Sequence, residues 1–316
     1  MPDYVLSCCS AVDLTAEHLA ERNVRHVSYS YELGGQCYKD DMWQHQTPQS
    51  MYARMVAGED AHTSQVTVGE FVEHFEPILQ EGHDVLHVTL SSGITGTYDC
   101  ACSAAELLRE RYPERTVRVV DSLCASSGYG LLVDEMCDRR DQGMGLEELA
   151  LWAEHARQRL NHWFFSSDLT FFVKGGRISR AAGMVGGMLR ICPMMCVAPD
   201  GSLSVREKIR TKARAIERDL AIMEERAEGG LGYRGKCFVS HSDCEEDARE
   251  LAARIEERFA SLGPGSAPRR GREGRSAGRA TATGCERCPG PAQTRVRGIV
   301  LSRGRARRRG ASRRGG

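Results

Sequence analysis

The chain has 316 residues, long enough for one large or two medium α/β domains with their own cores. Its formal charge is zero, yet residues 261–316 hold 15 Arg against only Glu273 and Glu286, so the first 260 residues carry a net −13. The body therefore reads as an ordinary acidic soluble chain. No run of 18 apolar residues is present to span a membrane, and Asp3 stands where a signal peptide would need basic residues.

Periodicity and turn residues predict the following elements in chain order. Tyr4–Leu6 is an opening strand and Leu14–Arg22 a helix. Val27–Tyr31 reads as a strand that turns at Gly34-Gly35 toward Tyr38, and Pro48–Val56 as a helix. Thr67-x-x-Glu70 has the form of a capping box, with Phe71, Phe75, Ile78 and Leu79 on one helical face after it. Strand Asp84–Leu90, helix Tyr98–Arg111 and strand Val117–Val120 follow, then helices Gly128–Arg140 and Leu146–Leu160. Trp163–Phe165 opens another strand, Phe171–Arg180 is a Gly-broken basic turn, Ala181–Arg190 a short helix and Met194–Val197 a strand. Thr211–Glu228 is a long amphipathic helix, and Lys236–His241 with Glu245–Phe259 forms a last strand–helix unit. This alternation predicts an α/β fold with largely parallel sheets flanked by helices.

Ser261–Gly316 differs in character. It is Arg/Gly-rich, only Val296 and Gly298–Leu301 interrupt its polarity, and it is expected to be disordered. An Arg-rich arm could neutralise phosphates, but this one lacks aromatic residues for base stacking, which argues against nucleic acid as a partner. The abrupt change at about Ala260 is read as the product of a reading-frame error in preference to a working arm. The expected divisions are an N-terminal lobe over 1–160, an incomplete C-terminal lobe over 161–260, and the tail over 261–316.

The segment richest in chemistry is Asp84–Tyr98. An apolar strand there delivers Ser91-Ser92-Gly93-Ile94-Thr95-Gly96-Thr97 to a helix start. Unpaired N–H groups, short hydroxyls and glycines suit such a turn to holding a phosphate or a carboxylate. A plain strand-to-helix turn that satisfies its own backbone has the same composition. Lys174-Gly175-Gly176-Arg177, flanked by Phe171, Phe172 and Ile178, could aim an Arg inward, and burial would then demand an acidic partner or a ligand. Met184, Met188, Met194 and Met195 around Gly183, Gly186 and Gly187 read first as core. The 13 cysteines are irregular, and the one C-x-x-C, Cys285/Cys288, lies in the tail, so neither a disulfide framework nor a metal site is expected. Neither a G-x-S-x-G elbow nor a phosphate-binding P-loop is present.

Several strings together resemble the DegV family, bacterial proteins that hold a fatty acid. They are Ser7–Leu14, Thr63-Ser64-Gln65, Ser91–Tyr98, Val119–Ser122, Lys174–Ser179 and Glu207–Arg210, in the family's order. The resemblance implies two α/β lobes that enclose an acyl chain, in a cytoplasmic protein without catalysis, metal or cofactor. It implies a role like that of the lipid-carrying subunit of bacterial fatty acid kinase, presenting the carboxylate to a separate kinase protein. The implied partners are a long-chain fatty acid and the kinase's catalytic subunit. Carried over by position, the carboxylate grip falls on Thr63, Ser64, Ser92 and Arg177, with Gly93 giving close backbone access. Met184, Met188 and Ile191 become the candidate wall of the acyl site. At about 0.8 kcal/mol per methylene, ten methylenes would give about 8 kcal/mol gross, so the hydrocarbon would set affinity and the polar end orientation. Two departures stand out: Ser7-Cys8-Cys9 replaces the family's Thr-Asp-Ser, and nothing after Phe259 matches its closing Gly/His-rich segment. The alternative is an enzyme acting on a small phosphate or carboxylate substrate at Ser91–Thr97, with Asp121 or Asp168 as general base.

Overall fold

The computed structural model describes residues 4–167, 169–179, 191–259 and 296–301, the last as backbone. β1 (Tyr4–Cys9) passes through a single 3-10 turn at Ser10–Val12 into α1 (Ala16–Glu21), whose N-cap Thr15 hydroxyl accepts from the His18 N–H. β2 (Val24–Val27) follows, then the hairpin of β3 (Ser30–Leu33) and β4 (Gln36–Lys39) over Gly34 and Gly35, both left-handed. α2 (Pro48–Val56) starts on Thr47 with Pro in its first turn and leads to β5 (Ala61–Ser64). α3 (Val68–Gln80) opens on a reciprocal Thr67/Glu70 capping box and buries Phe71, Phe75, Ile78 and Leu79, as the sequence predicts.

β6 (Asp84–Thr89), α4 (Thr97–Arg111), β7 (Val117–Asp121), α5 (Ser126–Asp141) and α6 (Leu146–Ala156) complete the first lobe. After the 3-10 turn Arg157–Arg159 come β8 (Asn161–Ser166), α7 (Thr170–Lys174), β9 (Ile191–Val197) and β10 (Leu203–Arg210). α8 (Lys212–Arg226), β11 (Cys237–His241), α9 (Glu245–Arg258) and β12 (Val296–Leu301) close the order.

The first sheet runs β2-β1-β6-β7 and is wholly parallel. Its chain winds outward from β1 on one side and from β6 on the other. The loops after β1 and β6 therefore diverge over the carboxyl ends of the strands, the crevice where ligands of open α/β sheets bind. A small antiparallel sheet, β4-β3-β5, carries Thr63 and Ser64 on its strand β5. The apolar sides of Leu33, Met51, Tyr52 and Met55 join it to α2.

The second sheet, β10-β9-β8-β12-β11, corrects two expectations. It is antiparallel at every junction, because β9 returns along β8 and then hairpins into β10, a strand absent from the sequence reading. Strand β12 pairs with β8 on one side and β11 on the other, so Val296–Leu301 fills a place in the sheet that the sequence leaves empty. The reason is backbone satisfaction: β8 and β11 would otherwise present unpaired N–H and C=O groups to a gap one strand wide. The predicted strand Val27–Tyr31 also divides, β2 ending in the parallel sheet and β3 beginning the small one. The predicted helix Ala181–Arg190 lies outside the described residues.

Each lobe has its own core. Leu6, Phe71, Phe75, Leu86, Val88, Tyr129 and Leu132 centre the first, and Phe165, Ile216, Leu220, Leu251 and Phe259 the second. Lys236, just before β11, ties the lobes by reaching Asp134 and Asp138 on α5, and the Ser127 and Ser240 hydroxyls meet at 2.9 Å.

Candidate functional site

The turn after β6 lies at the carboxyl edge of the parallel sheet, and its conformation is set by two side chains. The buried Ser91 hydroxyl accepts from the Gly93 N–H at 3.1 Å and donates to the Gly201 carbonyl at 2.8 Å. Asp121, at the end of β7, accepts on Oδ1 from the N–H groups of Ser92 (3.1 Å) and Leu123 (3.0 Å). The Ser91 carbonyl takes the N–H groups of Ile94 and Thr95. This corrects one expectation: the N–H groups of residues 92–95 are already partnered within the protein. What the turn offers outward is the exposed Ser92 side chain and the bare Gly93 backbone. Asp121, a base in the enzymatic alternative, is spent on holding the turn, and Asp168 lies outside the described residues.

At the start of α4, Thr97 is buried and its hydroxyl joins those of Thr95 (2.9 Å) and Tyr29 (3.0 Å). Gly96 accommodates the Gln65 side chain, whose Oε1 would lie 2.7 Å from a Cβ there. Gln65 follows Ser64 directly, so this contact seats the end of β5 beside the turn.

From the second lobe, α7 ends at Gly175 and Gly176, the latter at φ +73°, and the chain reverses to present Arg177. The Arg177 N–H bonds the Phe172 carbonyl at 3.0 Å, while its guanidinium Nη2 donates to the Thr63 hydroxyl at 3.5 Å. Nη1 folds back onto the Gly175 carbonyl. Arg177 is half-buried and forms no ion pair among the described residues. Behind it, Leu169, Phe172, Ile178 and Met195 form a separate apolar cluster, with Phe164, Val173, Leu203 and Val205 against it.

Of the five predicted head-group residues, the structure brings Thr63 and Arg177 into contact. Ser64 is exposed next to Thr63, and Ser92 and Gly93 sit on the turn without a direct bond to either. Of the predicted acyl wall, Met184 and Met188 lie outside the described residues, and Ile191 is a half-buried residue at the start of β9. The sequence reading missed the tip of the β9–β10 hairpin, whose Asp200–Ser202 backbone packs against one side of Gly93. Its signal was present: Pro-Asp-Gly-Ser is a turn tetrad.

Burial pushes the Cys124 thiol far up, as befits a side chain packed among apolar neighbours. Among the described residues no helix is long and apolar enough to cross a membrane.

These features define a two-lobed α/β protein with a polar cluster at the junction of its lobes. The family profile described as "Uncharacterised protein, DegV family" matches residues 9–265, and the chain belongs to that family. A DegV domain-containing protein of Clostridium perfringens is 30% identical over 259 residues, covering 82% of this chain and 88% of the relative. The fold is shared with a stearic acid-binding protein of Eubacterium ventriosum (TM-score 0.80, 20% identity, 95% of this chain and 98% of the other). It is shared also with the fatty acid kinase (Fak) B3 protein of Streptococcus pneumoniae, which is loaded with linoleic acid (TM-score 0.75, 20% identity, 96% and 99%).

Proposed function

We propose that this protein binds a long-chain fatty acid, with the hydrocarbon between the lobes and the carboxylate at Thr63, Ser64, Ser92 and Arg177. The observation that carries the reading is the meeting of Arg177 with Thr63 from opposite lobes, by a guanidinium that has no carboxylate partner among the described residues. A half-buried Arg bonded only to neutral oxygens is well placed to take a carboxylate as a charge-assisted, two-pronged acceptor. The apolar cluster behind it supplies a surface of the right chemistry for the chain. The stearic acid- and linoleic acid-carrying neighbours support the same reading.

We infer further that the protein acts by presentation, offering the carboxylate to a kinase catalytic subunit and performing no chemistry itself. Lipid extraction and mass spectrometry of the purified protein should recover fatty acid. Arg177→Ala and Ser92→Ala should each weaken binding by about 1–3 kcal/mol, the cost of a hydrogen bond to a charged group. A consistently empty protein, or unchanged affinity in both variants, refutes the assignment. Presentation is tested separately: with ATP and a fatty acid kinase catalytic subunit, the loaded protein should yield acyl phosphate, and without the subunit none.

A further inference from the structure

A second feature of the lobe junction lies apart from Thr63, Ser92 and Arg177. Where the chain crosses from α6 into β8, a cavity of about 430 Å³ opens, within the size range of small-molecule sites. Three of its lining residues are Arg157 of the crossover turn, Arg206 of β10 and Arg226 at the end of α8. None of the three has a carboxylate within ion-pair distance among the described residues. Elsewhere Arg22, Arg54, Arg118, Arg218 and Arg258 are each held by an acid.

The three guanidiniums are occupied only by weak or neutral partners. Arg157 Nη1 donates to the Asp121 carbonyl, but its Nε is buried without an acceptor among the described residues. Arg206 Nε points at the Cys196 sulfur at 3.0 Å, and Arg226 lies over the Trp163 ring at 5.8 Å. The acid near Arg206 is Asp200, whose Oδ1 is taken by the N–H and hydroxyl of Ser202. The lining holds three arginines and no acid, and a buried guanidinium N–H without an acceptor is a cost that a bound oxyanion would remove.

We infer that this cavity is a second ligand site, for a small organic anion bearing a phosphate-class group. Arginine forks match the oxygens of phosphate, and several converging arginines favour a multiply charged anion over a single carboxylate. Leu123, Leu160 and Pro199 provide the apolar wall for the organic part. The site shares no residue with the proposed fatty-acid grip, so the two readings stand or fall separately.

The test is calorimetric titration of the full-length protein with inorganic phosphate, pyrophosphate and a phosphate monoester. Pyrophosphate should bind saturably at one equivalent, and Arg157→Gln, Arg206→Gln and Arg226→Gln should each weaken it about tenfold, as expected for one charge-assisted bond. Arg249→Gln, an exposed residue of α9 paired with Glu245, should leave it unchanged. The monoester binding more tightly than inorganic phosphate would place the organic part against the apolar wall; equal affinity would reduce the site to a bare phosphate pocket and overturn the organic assignment. No saturable binding of any probe, or equal binding in all three variants, overturns the site itself. Should Arg157→Gln lower the melting temperature, the exposed Arg206 and Arg226 carry the test, and lipid content measured on the same samples keeps the result distinct from fatty-acid binding.

Discussion

Gly93 of the first lobe and Gly201 of the second touch backbone to backbone: a Cβ on Gly93 would lie 2.6 Å from the Gly201 carbonyl carbon. It would also lie 2.7 Å from the Ser202 nitrogen, and these are main-chain atoms that cannot swing aside as a side-chain end can. A side chain on Gly201 would in turn meet the Ser91 hydroxyl at 2.0 Å from a left-handed backbone, φ +80°.

Gly93→Ala should therefore prise the hairpin from the turn and destabilise the protein by about 1–3 kcal/mol, the usual cost of overpacking. Urea unfolding reads it directly. A variant as stable as the parent would mean that the hairpin does not close on the turn in solution.

Lys236→Met should cost about 3 kcal/mol, at the lower end for breaking a buried ion pair, because His18 (2.9 Å) and Arg22 (3.5 Å) still hold Asp134. Burial pushes Asp134 up, but the His18 hydrogen bond and the Lys236 charge outweigh it and hold the carboxyl far below its ordinary 3.8. A depressed acid stabilises above its unfolded value and loses that contribution as pH falls through and below about 3.8. Acid unfolding should thus be less steep in Lys236→Met than in the parent; identical acid profiles would contradict the assignment.

His74 and His87 share the Ser7 hydroxyl, at 2.7 and 2.9 Å. Burial pulls His74 down to about 4, helped by His26 and Arg25, and pulls the wholly buried His87 well below 6.5. Both are neutral in the folded state, so the unfolded chain takes up protons first. Stability is complete above pH 6.5 and falls as pH drops from there toward 4. Melting temperatures across that window should decline, and His74→Gln should flatten the decline. A pH-independent melt over the window would count against it.

Asp219 presents the opposite sign. It is fully buried on α8, neither carboxylate oxygen has a partner among the described residues, and burial raises its pKa well above 3.8. A raised acid favours folding only below its unfolded value; above it the unfolded chain ionises and the folded one resists. Asp219→Leu should accordingly stabilise at neutral pH by about 1–3 kcal/mol, the cost of an unpaired buried polar group. Denaturant midpoints compared at pH 7 decide the matter, and a destabilised variant would reveal an unseen partner.

What could be read from the sequence was local. The start of α3 follows from Thr67 and Glu70 alone, because a capping box closes within one turn, and the burial of Phe71 and Phe75 follows from helical spacing. The Ser/Gly turn before α4 is legible as a feature, but the availability of its N–H groups is not, since Asp121 reaches the Ser92 N–H from 29 residues away and Ser91 takes the others. β10 escaped notice because its inward and outward residues alternate weakly, from Leu203 to Arg210, and its partner is a hairpin across Gly201. The antiparallel second sheet escaped because β9 returns along β8 and hairpins into β10, pairings that no local pattern announces. Arg177 and Thr63 are legible as site residues only through the family resemblance. Their contact over 114 positions is a product of lobe packing and has no local signature.

The insertion of β12 between β8 and β11 also orders events during synthesis. Strands 161–166 and 237–241 leave the ribosome with a slot between them and stay two sticky rims until residue 301 has emerged. A premature stop between Phe259 and Val296 would therefore yield an adhesive, aggregation-prone fragment instead of a smaller working protein.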